Sequence, residues 1–259
     1  MSHVESLDGI SVVIPAAGLG IRMESKEPKQ YIQIAGKTIL EHTLLRILGL
    51  RPRSVILVIS AEDNLFETIP AIDQCQVVCG GAERIDSVLN GMKELHGNAD
   101  DWVMVHDAVR PCVRASDILS LCSELQGHEV GGLLGIPVTD TVKRVEKGSV
   151  LDTQDRSRLW LAQTPQLFRH GILLQALQGA PAGVTDEASA VECLGYQPKM
   201  VQGHSDNIKV TTQDDLKVAA FHLSQEGRLQ EQLSQEQHSQ EQHSQEQHSQ
   251  EQHSQEQQS

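Results

Sequence analysis

The chain has 259 residues, 39% hydrophobic and 22% charged, with a formal net charge of −14. Six of those negative charges fall from Glu231 onward, where there is no lysine or arginine, which leaves −8 for the body. An acidic body excludes a broad nucleic-acid surface, and no apolar run is long enough to predict a bilayer-spanning helix. The five cysteines (Cys75, Cys79, Cys112, Cys122 and Cys193) contain no CxxC pair, which argues against a disulfide framework or a four-cysteine zinc site.

The opening MSHVESLDG lacks the basic and apolar regions of a signal peptide, so a soluble cytoplasmic protein is expected. Apolar, β-rich runs then follow at ISVVIP, SVILVIS, CQVVCG, DWVMVHD and GGLLGIPV. Helical patterns lie between them at TILEHTLLRILGL, AEDNLFETI, ERIDSVLNGMKEL and SDILSLCSEL. Strands apolar on both faces and separated by helices predict βαβ units. The expected fold is therefore α/β, a Rossmann-like open and mostly parallel sheet with helices on both faces. Cys75 and Cys79 flank QVV on one strand face and are expected to be buried thiols.

After Pro137 the stretch PVTDTVKRVEKGSVLDTQDRSRLWLAQTPQLF, with short alternating runs and a KGS turn, reads as a β-hairpin projecting from the sheet, the arm itself at about residues 139–160. Such an arm is rarely stable alone and needs the body or another subunit to pack on. Helices are expected at HGILLQALQGA, TDEASAVECLG and QDDLKVAAFHLSQ, with a short strand at PKMVQG. From Ser234 the chain repeats SQEQH four times and ends in SQEQQS. That composition has no apolar face with which to offset the entropy of ordering. Residues 1–226 are therefore expected to form one domain and 227–259 a disordered, solvated appendage without catalytic role.

The chemistry concentrates at predicted strand ends, where open α/β sheets form their ligand crevice. The first strand runs into PAAGLGIRMESKEPKQY. Its small residues Ala16, Ala17, Gly18 and Gly20 let backbone N–H groups approach an anion closely. A dinucleotide fingerprint fails because Met23 stands where a third Gly or Ala is needed, and a Walker loop fails because Tyr31 stands five residues before the Gly36 of GKT. Arg22 and Lys29 add two cations suited to phosphate oxygens. The third strand end carries GGAERIDSV, with Gly80, Gly81, Arg84 and Ser87. The fourth carries HDAVRPC, where Asp107 is a candidate Mg²⁺ ligand and His106 is expected to fix a loop rather than act as a base. DNIKVT supplies Asp206 and Lys209. With no GxSxG, HExxH or zinc set, the site is read as an electrostatic one for phosphoryl-type displacement.

In this order, PAAGLGIRMESKEPKQY, GGAERIDSV, VHDAVRP, DTVKR, LWLAQTPQ, TDEASAVE and DNIKVT resemble the 2-C-methyl-D-erythritol 4-phosphate cytidylyltransferase family over about residues 10–222. The resemblance implies a nucleotidyltransferase fold whose arm interlocks a homodimer. It implies the reaction of CTP with 2-C-methyl-D-erythritol 4-phosphate, aided by Mg²⁺, with no nucleic-acid or membrane partner. It further implies that Arg22 and Lys29 stabilise the transition state, and that Ala16, Ala17, Gly18, Gly81, Ala82 and Ser87 hold the nucleotide. The family often has an acidic residue where this chain has Ala82, so no side-chain contact is carried over there. Asp107, Ala108 and Arg110 would lie where the two substrates meet. Thr141, Arg156, Thr164, Thr185 and Lys209 would position the sugar phosphate, with Arg156 and Lys209 also catalytic. A ribitol 5-phosphate cytidylyltransferase shares these motifs and is the alternative. A dinucleotide-dependent oxidoreductase and a non-catalytic nucleotide sensor are the rivals of other classes.

Overall fold

The computed structural model describes residues 4–18 and 28–225; Gly20, Arg22 and the repeat tail lie outside the described residues. In chain order the elements are β1 (Ser11–Pro15), β2 (Gln33–Ile34), β3 (Lys37–Thr38), α1 (Ile39–Leu48), β4 (Ser54–Ile59), β5 (Gln76–Cys79), α2 (Arg84–Lys93), β6 (Trp102–Val105) and α3 (Ala115–Glu124). There follow β7 (Gly131–Pro137), β8 (Val142–Glu146), β9 (Ser149–Gln154), β10 (Trp160–Arg169), α4 (His170–Gln178), α5 (Glu187–Cys193) and β11 (Lys199–Gln202). The chain divides into two compact units, Met1–Ala219 and Ala220–Ser259. Of the second, residues 220–225 are described and are helical.

Seven strands form one sheet in the order β11-β7-β10-β6-β1-β4-β5. β1 pairs in parallel with β4 and β6, β4 with β5, and β7 with β11; β10 runs antiparallel between β6 and β7. The sheet is buried on both faces, as the continuous apolar runs require. Val12, Ile14 and Leu57 pack with Leu40 and Leu44 of α1 and Ile118 and Leu121 of α3. On the other face, Val13, Ile56 and Val58 pack with Val88 of α2, Leu173 of α4 and Val191 of α5. Each such fully buried side chain contributes roughly 2 kcal/mol by leaving water. α1 starts where it does because the Thr38 hydroxyl accepts the Glu41 N–H at 3.1 Å. β7 opens with two glycines because its flanking strands come close. A Cβ at Gly131 would lie 2.2 Å from the Leu167 carbonyl oxygen, and one at Gly132 2.1 Å from that of Lys199.

Three expectations need correction. AEDNLFETI forms no α-helix; it contains the short 3-10 turn Leu65–Thr68, and a second, Pro70–Gln74, follows. Pro70 has no N–H to continue the first turn. LWLAQTPQLF does not belong to the arm; it forms most of β10, a central strand of the main sheet. Cys79 is exposed and Cys75 half-buried, because β5 is an edge strand and Cys75 precedes it.

The arm itself is the two-stranded pair β8–β9. Its turn places Lys147 at φ +48° and Gly148 at φ +83°, the left-handed pair that matches the twist of a tight hairpin. Val145, Val150 and Leu151 on the arm, and Trp160 and Leu161 where β10 leaves it, are all exposed. Among the described residues, no helix is long and apolar enough to cross a membrane.

Candidate active site

The carboxyl ends of β1, β4, β5 and β6 point to one edge of the sheet, and a cleft of about 180 Å³ opens there. One wall is the end of β1 and the loop after it, Pro15, Ala16, Ala17 and Gly18. Backbone pairing carries this wall past the strand: Ala16 N–H donates to the Val58 carbonyl at 2.7 Å. The Gln30 amide donates to the Ala16 carbonyl at 2.9 Å and brings the neighbouring Lys29 to the cleft. The facing wall is Gly81–Arg84 and Ser87. Here the Ser87 hydroxyl accepts the Gly81 N–H at 3.1 Å and donates to the Glu83 carbonyl at 3.1 Å. Gly80 allows this wall to close on the first; a Cβ there would sit 2.5 Å from that of Ala17.

The floor is Asp107, Ala108 and Val109 after β6, together with Lys209. Val210 N–H donates to the Val109 carbonyl at 2.9 Å, which brings Lys209 alongside. Asp107 is buried and meets three cations. Its Oδ1 lies 3.1 Å from Arg84 Nε and 3.0 Å from Arg84 Nη2; its Oδ2 lies 2.9 Å from Lys209 Nζ and 3.5 Å from Arg110 Nε. Burial opposes ionisation, but Arg84, Lys209 and Arg110 outweigh it and hold the carboxyl well below the usual carboxylate range. Arg84 also forks onto the fully buried Glu187, with Nη1–Oε1 at 2.7 Å and Nη2–Oε2 at 3.1 Å. Desolvation works against its charge, and the two carboxylates more than restore it, so Arg84 stays cationic.

Beneath the floor, His106 fixes the loop. Its Nε2 lies 3.2 Å from the Arg110 carbonyl, which can only accept, so Nε2 carries the proton. Nδ1 then accepts from the Thr164 hydroxyl at 3.1 Å, and that oxygen accepts the Asp107 N–H at 3.0 Å. Burial pushes the imidazole down to about 4, so it is neutral near pH 7. A pH dependence follows. In the unfolded chain His106 gains its proton near its ordinary value of 6.5, whereas in the fold it stays neutral until about pH 4. Its contribution to stability is thus complete above pH 6.5 and is lost as pH falls towards 4. The loss should reach up to about 3 kcal/mol. Urea unfolding between pH 7 and pH 4 should show this slope, and His106→Gln should flatten it.

The structure gathers Ala16, Ala17, Gly18, Lys29, Gly81, Ala82, Ser87, Asp107, Ala108 and Lys209 into this one cleft. Arg110 and Thr164 lie buried against Asp107, with Arg110 Nη1 donating to the Asn207 carbonyl at 2.7 Å. Thr185 is exposed just before α5, and its N–H donates to Ser189 Oγ at 3.3 Å. Thr141 and Arg156 are exposed outside the cleft, where Arg156 donates to the Thr139 carbonyl. Gln30, Glu187 and Asn207 carry no signal in the sequence that marks them as site residues, and Arg84 stands in GGAERIDSV with no role that spacing alone assigns. Asn207 is fully buried and donates to the Thr164 carbonyl at 2.8 Å.

Among the described residues, no group of three His, Cys, Asp or Glu side chains could cage a metal ion. The cleft offers Asp107 and Glu83 as carboxylates, and Asp107 already faces three cations. This donor set suits a hard cation held mainly by phosphate oxygens and water, with one protein carboxylate nearby.

An open α/β sheet whose strand ends present close-approach backbone, two lysines and a cation-clasped aspartate defines a nucleotidyltransferase-type protein. The family model for 2-C-methyl-D-erythritol 4-phosphate cytidylyltransferase matches residues 10–225. The chain belongs to that family. It is 49% identical over 221 residues to the cytidylyltransferase of that name from Hahella chejuensis, covering 82% of this chain and 92% of that one. It is 46% identical over 230 residues to one from Vibrio vulnificus, covering 85% and 97%. Among solved structures, a 4-diphosphocytidyl-2C-methyl-D-erythritol synthase superposes with a TM-score of 0.73 at 37% identity, over 83% of this chain and 98% of that one. The Francisella tularensis cytidylyltransferase gives 0.71 at 38% identity, over 82% and 99%.

Proposed function

We infer that the protein transfers the cytidylyl group of CTP to 2-C-methyl-D-erythritol 4-phosphate, forming 4-diphosphocytidyl-2-C-methyl-D-erythritol and pyrophosphate in the non-mevalonate route to isoprenoid precursors. The observation that carries this reading is the single cleft in which Lys29 and Lys209 face two close-approach backbone walls. A phosphate oxygen of the acceptor attacks the α-phosphorus of CTP. The bond to the bridging oxygen breaks, and the β- and γ-phosphates leave together as pyrophosphate. Charge grows on the five-coordinate phosphorus, and preorganised cations stabilise it without reorganisation.

In this reading Arg22 and Lys29 flank the α-phosphate. The backbone of Ala16, Ala17, Gly18, Gly81 and Ala82, with Ser87 bracing the turn, holds the nucleotide. Asp107, Ala108 and Arg110 stand where the substrates meet, Lys209 and Thr185 face the sugar phosphate, and Thr164 supports that side from beneath by accepting the Asp107 N–H. Mg²⁺, when bound, would be held mainly by phosphate oxygens beside Asp107 and would neutralise phosphate charge. Thr141 and Arg156 serve a second subunit's cleft across a homodimer. The exposed apolar arm residues support this, since such an edge calls for a partner. Residues 1–226 constitute the catalytic domain of a cytoplasmic enzyme, and 227–259 an appended tail.

The test is pyrophosphate release from CTP across a panel of polyol phosphates. Release is expected with 2-C-methyl-D-erythritol 4-phosphate and Mg²⁺ together, and only at background level when either is omitted. Equal or faster turnover of ribitol 5-phosphate overturns the substrate assignment.

A further inference from the structure

We propose that Arg84 and Glu187 form a positioning pair, in which Glu187 holds the Arg84 guanidinium so that Arg84 fixes Asp107 Oδ1 and leaves Oδ2 to carry Lys209 into the cleft. The inference rests on the cytidylyltransferase reading and assigns its nucleotide wall and acceptor side a direct mechanical link.

The link is continuous. Gln166 on β10 accepts the Ala188 N–H at 2.8 Å and donates to Asp186 Oδ2 at 2.8 Å, which pins the start of α5. Glu187 is the first residue of that helix and Arg84 the first of α2, immediately after the cleft wall. The Glu187 side chain is fully enclosed, whereas that of Arg84 remains 27% exposed, so the guanidinium sits between the interior and the cleft.

Stability alone does not account for this arrangement. A buried ion pair often contributes no more than apolar residues of the same volume would. Geometry gives it a use. An unheld arginine fork matches both oxygens of a carboxylate and would take Asp107 Oδ1 and Oδ2 together, displacing Lys209, or would turn to an incoming triphosphate. With Glu187 occupying Nη1 and Nη2, only Nε and one edge of Nη2 reach Asp107, and both reach the same oxygen. The second oxygen is left for Lys209 at 2.9 Å.

The experiment is a double-mutant cycle on the full chain with CTP and 2-C-methyl-D-erythritol 4-phosphate. Glu187→Gln should lower kcat by about 10- to 100-fold while KM for CTP stays within about threefold, because positioning rather than nucleotide binding is lost. In a Lys209→Ala background the same substitution should change kcat by less than about threefold, since the group being positioned is gone. Arg84→Lys keeps the charge but loses the fork; it should behave the same way, and it carries the test if Glu187→Gln fails to fold. A wild-type kcat for these variants, or equal losses in both backgrounds, overturns the pair while leaving the cytidylyltransferase reading intact. A wild-type protein without turnover overturns both.

Discussion

Lys29→Ala is expected to lower kcat by about 100- to 1,000-fold, with a smaller change in KM for CTP. The argument is one of differential binding. Lys29 lies at the start of the short 3-10 turn Lys29–Tyr31, and the neighbouring Gln30 ties that turn to the glycine-loop backbone. The ground-state triphosphate already has backbone donors on two walls, so one lost lysine weakens its binding modestly. The five-coordinate phosphorus carries more charge than the ground state. A preorganised cation beside it supplies on the order of 3 kcal/mol that water does not replace. Single-turnover measurement of pyrophosphate release separates the two effects. A variant with near-normal single-turnover rate and raised KM would assign Lys29 to ground-state binding instead.

The residues legible in the sequence are those whose roles are local. Ala16, Gly18, Gly81 and Asp107 each sit one to three residues past the end of an apolar strand, so the strands also mark the cleft. Strands buried on both faces announce themselves by composition, which is why β1, β4 and β6 stand close to their expected positions. β10 was hidden by its own chemistry. Gln163, Thr164 and Gln166 are polar yet almost fully buried, so the segment imitates an exposed hairpin. Its position in the sheet is stabilised by tertiary bonds: Gln163 to the His204 carbonyl, Thr164 to His106 and Asp107, and Gln166 to the start of α5. None of those partners is near in sequence. The Arg84–Glu187 fork spans 103 positions and leaves no spacing signature. Each residue reads as an ordinary surface charge until the fold brings the two together.

The second large effect is expected from Asp107→Asn, which should cost about 3–5 kcal/mol of stability as well as activity. Removing the carboxylate leaves Arg84, Lys209 and Arg110 converging on a buried neutral amide, the situation in which breaking an ion pair costs most. Denaturant unfolding near pH 7 measures the loss. The pH dependence distinguishes this residue from its neighbour. Because the folded carboxyl lies below the ordinary value, its contribution is complete above about pH 5 and is lost as pH falls further, through the ordinary carboxylate range towards the folded value. The His106 contribution disappears between 6.5 and about 4, so its window lies mostly above that of Asp107 and the two run together at about pH 4–5. Asp107→Asn should therefore keep the fall that begins near pH 6.5 and extend it below pH 4, because the carboxylate no longer helps the neighbouring His106 to hold a proton, while removing the carboxylate's own share of the loss at low pH. The same cation cluster makes the variant responsive to anions. Pyrophosphate should raise its unfolding midpoint by more than it raises that of the wild type, since a bound phosphate replaces the missing negative charge. An equal or smaller shift in the variant would mean that the three cations relax apart when Asp107 is removed, and that the carboxylate does not hold them against their own repulsion.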